Sequence, residues 1–241
     1  MQMKDYRKEE LKTYVIGNIL IILMFSGVFE KIFYLPEDLS VGVTDIVSKL
    51  LGSALLSSII YIYVFILDSL VPSKLKDFIV YFPCGRPGDK IFEKVREKRI
   101  DPRFTQEDAT IKYQETYKEL DLIFDKKKKH AFQNSKWYGI YQSIEENPTV
   151  ALAQKDFLLN RDMCNITVAI LILYVLISWI SKIYTIKGGA LMWLLVEILL
   201  TNIAAKGKAK RFALNVIAKD IHSKTDGDDN NSEQKKEDAD A

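Results

Sequence analysis

Four apolar stretches that are almost free of charge stand in two pairs along this 241-residue chain. A helix needs about 17 to 25 mostly apolar residues to cross roughly 30 Å of hydrocarbon. Because no water reaches such a segment, its backbone groups must be paired internally, as they are in a helix. The pattern predicts an all-α integral membrane protein with four transmembrane helices, at 13–29, 50–67, 163–181 and 188–205.

The basic residues predict how these helices are oriented, since lysine and arginine are retained on the cytoplasmic side of a membrane. Residues 73–162, between the two pairs, carry eighteen of the 34 lysines and arginines. Together with both chain ends, this segment places thirty basic residues on one predicted side and four on the other. We therefore expect a multi-pass protein of the cell (inner) membrane with both termini in the cytoplasm.

This topology divides the chain into five parts. The parts are a cytosolic N terminus with the first hairpin (1–72), a helical cytosolic domain (73–162), the second hairpin (163–205), a cytosolic helical extension (206–222) and the acidic tail (223–241). The tail is polar and rich in acids, so it cannot bury enough apolar surface to offset the cost of ordering, and we expect it to be disordered.

Within the cytosolic domain, Thr105 and Asp108 have the spacing of a capping box that begins a helix. Apolar residues then recur at three- and four-residue spacing, which predicts a core-facing stripe. The lysine run 126–129 is expected in a loop, followed by a helix over 135–146. The stripe consists of Ala109, Tyr113, Tyr117, Leu120 and Phe124. The apolar side of the helix over 135–146 consists of Trp137, Ile140, Tyr141 and Ile144.

The Asn147-Pro148 pair predicts the start of a long helix, because asparagine is a favoured N-cap and proline is tolerated at the first helical position. No helix breaker follows before Ser181. We expect one continuous helix that crosses the bilayer and extends into the cytosol. The fourth span is expected to extend in the same way, because an apolar helical pattern continues past its basic flank at Phe212, Ala213, Val216, Ile217 and Ile221.

Glu197 lies near the middle of the fourth apolar stretch, where an ionised carboxylate is costly unless it is paired or hydrated. One interpretation is a proton or cation site, or a polar lining of an oligomeric pore. The other is a protonated glutamic acid in a single interhelical hydrogen bond, or a side chain that reaches the interface. By depth alone, the groups that could approach Glu197 are Tyr61, Tyr63, Tyr174, Ser57 and Ser58.

The run Lys126, Lys127, Lys128 and Lys129 suits an anionic lipid surface, which attracts basic residues by about 1 kcal/mol each. A solvated loop is the plainer interpretation. Nucleic acid is disfavoured, because the flanking segments are rich in acids and no binding module surrounds the run. The lipid bilayer is thus the expected partner; a homo-oligomer stays open.

No pattern of residues predicts a catalytic, cofactor or metal site. Cys84 and Cys164 have no metal-ligand or disulfide spacing, and His130 and His222 have no ligand-type residues nearby in the sequence. Paired carboxylates, a nucleophile elbow and a phosphate loop are also lacking. These absences weigh against an enzyme, and we expect no cofactor.

Five short motifs follow one another along residues 72–182: Pro87-Gly88, Asp101-Pro102-Arg103, Trp137 to Tyr141, Pro148-Thr149-Val150 and Phe157 to Asp162. This set resembles uncharacterised bacterial four-span membrane proteins with a cytosolic insert between spans 2 and 3. The resemblance carries no activity to this chain. It implies that Arg161 and Asp162 at the membrane mouth, and Trp137 with Tyr138, matter to the insert. The alternatives are an interface anchor and an ordinary aromatic core.

Two classes of function remain open from the sequence. The favoured one is a non-enzymatic membrane module: a scaffold, a sensor or a conditional pore-forming effector whose cytosolic domain receives a ligand or partner. The alternative is a small transporter or membrane-embedded enzyme that uses Glu197. The lack of a visible internal repeat disfavours the transporter.

Overall fold

A computed structural model describes residues 3–25, 47, 51–52, 54, 58–59, 61–66, 68–82, 85–181 and 186–223. These residues form helices, turns and bends, with no strand among them, which confirms the all-α prediction. The elements in chain order are α1 (Met3–Phe25), α2 (Ser73–Tyr81), a 3-10 turn (Pro87–Lys90), α3 (Ile91–Glu97), α4 (Gln106–Lys112), α5 (Gln114–Asp121), α6 (Lys126–Ser143), α7 (Pro148–Ser181) and α8 (Gly188–His222).

The long helices α7 and α8 contain 34 and 35 residues without interruption. The Asn147 side chain caps α7, since its Oδ1 accepts a hydrogen bond from the Thr149 backbone at 3.1 Å. Both helices are long and apolar enough to cross a membrane by length and composition. The continuous helix predicted from Asn147-Pro148 is therefore confirmed. The predicted spans 13–29 and 50–67 lie only partly within the described residues.

The chain folds into two compact units, here called the bundle unit (Met1–Val80 and Leu158–Ala205) and the domain unit (Tyr81–Phe157 and Lys206–Ala241). In the bundle unit, buried apolar residues recur every four positions along α1 and meet apolar residues of α7 and α8. Four-residue spacing places side chains on one helix face. This core contains Val15, Ile19, Leu23, Val64, Ile166, Ile170 and Leu194.

The core of the domain unit is built around Phe212. Its ring packs edge-on against Trp137 at 5.4 Å and Tyr141 at 5.3 Å, and it stacks with Phe157 at 6.2 Å between centroids. Such arrangements suit the quadrupoles of aromatic rings. The apolar face predicted past residue 206 is confirmed, since Phe212, Ala213, Val216, Ile217 and Ile221 are all buried. Val150, Ala153 and Phe157 of α7 are buried as well.

The predicted capping box at Thr105 is confirmed: Thr105 Oγ1 accepts from the Asp108 backbone, and the Asp108 carboxylate accepts from the Thr105 backbone. The stripe that follows is divided between two helices, because α4 ends and α5 begins at Tyr113. Four of its members are buried, but Phe124 is 95% exposed, so that part of the prediction is wrong. The reason is that α5 ends at Asp121, before Phe124 can reach the same face.

The loop predicted at 126–129 is also wrong, because these lysines form the first turn of α6. Lysine is a good helix former, and Asp125 supplies an N-cap whose Oδ1 accepts from the Lys128 backbone at 2.8 Å. The helix expected over 135–146 consequently begins nine residues earlier and ends at Ser143. Trp137 and Tyr141 lie on its buried side, as expected, while Ile140 and Ile144 are half-buried.

Candidate functional site: the polar cluster at Glu197

Glu197 of α8 is hydrogen-bonded to α1. Asn18 Nδ2 donates to Glu197 Oε1 at 3.1 Å, and Trp193 Nε1 donates to Asn18 Oδ1 at 3.0 Å. Trp193 and Glu197 are four residues apart, so one face of α8 presents both. The Asn18 side chain is 3% exposed and uses its amide nitrogen and oxygen to link the two helices.

A second link joins the same part of α1 to α7. The Tyr14 and Thr167 hydroxyls are hydrogen-bonded at 2.6 Å, and Thr167 Oγ1 also donates to the Met163 carbonyl at 2.9 Å. Asn18 Nδ2 additionally contacts the Tyr14 carbonyl at 3.3 Å, one turn earlier on α1. Polar side chains of three helices therefore meet beside Glu197.

The second carboxylate oxygen of Glu197 is buried and receives no well-formed hydrogen bond from the described residues. Tyr14 lies close enough to interact with Glu197, but the well-formed hydrogen bond of its hydroxyl is the one with Thr167. A buried carboxylate oxygen without a donor is costly in an apolar surrounding. This oxygen can accept a proton or a donor from a bound group.

An open groove of about 610 Å³ runs along α1 to Glu197. Gly17 lines this groove, and a Cβ atom there would meet no atom within 4 Å beyond the adjacent residues and backbone of α1. Carboxylates and apolar side chains line it, a combination that favours a cation over an anion. The lining residues are Glu9, Glu10, Thr13, Tyr14, Gly17, Asn18, Ile21, Met163 and Glu197.

The residues expected near Glu197 by depth are arranged differently. The Tyr174 hydroxyl accepts a hydrogen bond from the Lys187 backbone at 2.9 Å. Tyr61 packs against the apolar core of the bundle unit, and Tyr63 is 59% exposed. Ser57 lies outside the described residues. The partners that the structure brings to Glu197 come from α1 instead.

Sequence reasoning missed Asn18 and Trp193 as members of this cluster. A signal was present, because Asn18 is a strongly polar residue inside the first apolar stretch. Asn18 lies five residues after the start of that stretch and Glu197 eight before the end of the fourth. In antiparallel spans these positions have similar depth, and intramembrane polar groups commonly pair with one another.

Arg161 and Asp162 belong to a second polar cluster of the bundle unit. Arg161 contacts Asp162 at 3.1 Å and Asp77 of α2 at 3.2 Å, and the Asp162 side chain is fully buried. Lys76 pairs with Asp68 at 2.6 Å, and its carbonyl accepts from Asn165 at 3.4 Å. The cluster joins α2 to α7.

The four lysines at the start of α6 differ in their contacts. Lys129 pairs with Glu93 at 3.0 Å, whereas Lys126, Lys127 and Lys128 are exposed. Burial raises the pKa of Glu93, but hydrogen bonds from Gln133 and Lys129 outweigh this effect and hold the pKa below its ordinary value. Lys129 is therefore engaged within the domain unit, and the other three lysines face solvent.

The described residues contain no group of three or more histidines, cysteines, aspartates or glutamates that could hold a metal ion. Cys164 is a buried thiol whose Sγ accepts a contact from Asn202 Nδ2 at 3.9 Å. His222 Nε2 lies 2.9 Å from the Arg103 carbonyl. Cys84 lies outside the described part of the chain.

Comparison with known proteins adds no family assignment: no family model, curated protein or solved structure matches this chain.

Proposed function

We propose that this chain is a four-span protein of the inner membrane, with both termini cytoplasmic, that acts as a non-enzymatic membrane module. Its cytosolic domain receives a ligand or partner, and its helical bundle responds as a scaffold, a sensor or a conditional pore. The observation that carries this proposal is the continuity of α7 and α8. Each is one unbroken helix with buried residues in both units, such as Val150 and Ile170 in α7.

Burial supports the membrane setting. A core helix of a soluble protein is mostly buried, but only 39% of the apolar window of α7 and 17% of that of α8 are buried. Large apolar side chains of α8 remain about 60% exposed, among them Leu199, Leu200 and Ile203. Contiguous exposed apolar surface of this kind favours contact with lipid. The charge distribution supports the orientation.

Topology is testable with reporter fusions at Gly42, Phe124 and Ser223. The proposal expects a periplasmic reporter to be active only after Gly42, and a cytoplasmic reporter only at the other two positions. An externally exposed fusion at Phe124 would overturn the orientation. Equal behaviour of all three fusions would overturn the first hairpin.

The functional class is tested by ion flux from proteoliposomes that contain the full chain, together with its oligomeric state in detergent. An oligomer that conducts ions without a transported substrate supports a pore-forming effector. A monomer that conducts no ions excludes a constitutively open oligomeric pore and leaves the scaffold, the sensor and a pore that opens only with its ligand. Substrate-dependent uptake by a monomer would overturn the module in favour of a transporter.

The cluster at Glu197 favours a second candidate, a small transporter or membrane-embedded enzyme that binds a proton or cation at this carboxylate. Its support is the buried oxygen of Glu197 in a groove that also presents Glu9. Glu197→Gln keeps the shape and removes the charge, so it should abolish cation or proton uptake into proteoliposomes. The exposed Glu145→Gln is the matched control. Unchanged uptake in Glu197→Gln would exclude this candidate.

A further inference from the structure

The connection between α5 and α6 exposes two large apolar side chains next to three exposed lysines. Phe124 is 95% and Leu122 77% exposed. Lys126, Lys127 and Lys128 follow directly in the first turn of α6. We propose that this basic tip, residues 122–128, inserts into the surface of a bilayer that contains anionic lipid. The inference rests on the cytosolic placement of the domain in the proposed function, and on no activity of the bundle.

The local fold holds the apolar side chains outward. Leu120, the last buried residue of α5, is fully buried, so the core below the tip is already occupied. The chain leaves the helix at Asp121, and Phe124 follows before α6 begins. Because α5 and α6 fix both ends of this short connection, the two apolar side chains are presented on an ordered support.

The two acids closest to the tip, Asp121 and Asp125, both accept hydrogen bonds. The Asp125 carboxylate accepts from the Lys128 backbone as the cap of α6, and Asp121 forms two hydrogen bonds with Arg96 at 3.0 and 2.9 Å. Lys129 is paired with Glu93 at the base of the tip. Asp125 keeps its negative charge, so residues 122–128 carry three lysines against one carboxylate and the tip remains net positive.

An anionic bilayer fits both halves of this surface. A membrane interface takes up aromatic and aliphatic side chains, and each basic residue near an anionic leaflet strengthens binding by about fivefold. Either signal alone gives weak, reversible attachment, whereas two signals act together. An anionic bilayer offers an apolar interior directly beneath a negative surface, which matches exposed Phe124 and Leu122 beside the three lysines and favours lipid over an acidic protein.

The test uses the full chain in nanodiscs of phosphatidylcholine with or without phosphatidylserine. An environment-sensitive fluorophore is attached at Leu122→Cys, with Cys84 replaced by serine, so that Phe124 and the lysines stay intact. The proposal expects a blue shift and quenching by spin-labelled lipid only when phosphatidylserine is present, in the disc itself or in added vesicles. A fluorophore at Ile111→Cys, a site that is 79% exposed, should not respond.

Two variants separate the signals. Phe124→Ser should lower the apparent affinity for anionic vesicles, obtained by titrating lipid and following the quenching, by about tenfold or more. The triple change of Lys126, Lys127 and Lys128 to glutamine should lower it by up to about a hundredfold. The matched control changes three exposed lysines elsewhere in the domain, Lys94, Lys98 and Lys118, to glutamine.

Quenching that is equal in discs without anionic lipid would overturn the proposal, as would the absence of any lipid response in discs and vesicles. A shift that depends on two chains per disc, and not on lipid charge, would identify a second copy as the occupant and also overturn it. Reporter fusions measure the orientation separately, so a wrong topology and a failed lipid contact give different results.

Discussion

Replacement of Asn18 by leucine should destabilise the bundle unit by roughly 1–3 kcal/mol. The variant removes the donor to Glu197 at 3.1 Å and the acceptor for Trp193 at 3.0 Å. Interhelical hydrogen bonds of membrane proteins contribute on average about 0.6 kcal/mol and at most about 1.7 kcal/mol each. Two such bonds give the stated range, and the larger values apply if the Trp193 N–H group is left unpaired.

A double-mutant cycle isolates the link between the helices. Glu197→Gln retains an acceptor at Oε1 and should cost less than about 1 kcal/mol. The pair Asn18→Leu and Glu197→Leu, made singly and together, should show a coupling energy of roughly 0.5–2 kcal/mol. Reversible unfolding in mixed micelles, followed by far-ultraviolet circular dichroism, measures each free energy of unfolding.

The control for this cycle is Leu20→Ala on the same helix, at a side chain that is 44% exposed. Its loss should be smaller than that of Asn18→Leu, because it removes no hydrogen bond. A coupling energy below about 0.3 kcal/mol, which is within the additivity expected of independent sites, would refute the reasoning. Glu197 would then be held by its own helix and not by α1.

Three further predictions concern the domain unit. Gly88→Ala should cost about 1 kcal/mol. Its Cβ would lie 2.8 Å from Asn134 Oδ1, which can move, and 3.3 Å from the buried Trp137 ring. Gly139→Ala, with open space at the same atom in helix α6, should gain about 0.5–1 kcal/mol, and thermal unfolding of both variants measures the difference. Tyr113→Phe should destabilise the domain by about 1 kcal/mol, because the Tyr113 hydroxyl donates to Asp220 at 2.8 Å. Tyr117→Phe should be neutral or stabilising, because the buried Tyr117 hydroxyl, whose pKa burial raises to about 12, has no hydrogen-bond partner among the described residues. Equal losses of unfolding free energy in denaturant titrations would contradict this. Hydrogen bonds from the Arg103 guanidinium hold the pKa of Asp101 below its ordinary value. The native state therefore binds fewer protons than the unfolded chain. The stability that Asp101 contributes is complete above about pH 4 and is lost as the pH falls through the folded pKa. Asp101→Asn should flatten the fall of melting temperature with acid, and an unchanged acid limb would contradict the assignment.

Much of the fold could be predicted where the signal is local. The Thr105–Asp108 box and the Asn147 cap act through hydrogen bonds between neighbours in the chain, so the pattern of residue types is sufficient. The same holds for the buried faces of α7 and α8, because side chains at three- and four-residue spacing must share one side of a helix. The errors arose where local patterns compete. Phe124 continues a helical spacing, but the helix that would bury it ends at Asp121.

The candidate site was predicted only in part. Glu197 stands out because a carboxylate in an apolar stretch is costly wherever the helix packs. The partners of Glu197 did not stand out, because the depth of a residue in its span does not determine how each helix is rotated about its own axis. Rotation is set by packing: Val15, Ile19 and Leu194 belong to one buried apolar core, and with α1 turned toward that core Asn18 meets Glu197.

The amino-acid sequence by itself determined the helical class, the segregation of apolar from basic segments and the start of the long helix at Pro148, because each depends on composition or on neighbours in the chain. The tertiary structure alone decided which polar side chain meets Glu197, that the Arg161 pair reaches Asp77, and that Phe124 faces outward beside three exposed lysines. These outcomes depend on contacts between residues far apart in the chain, and no local pattern specifies the relative rotation of two packed helices.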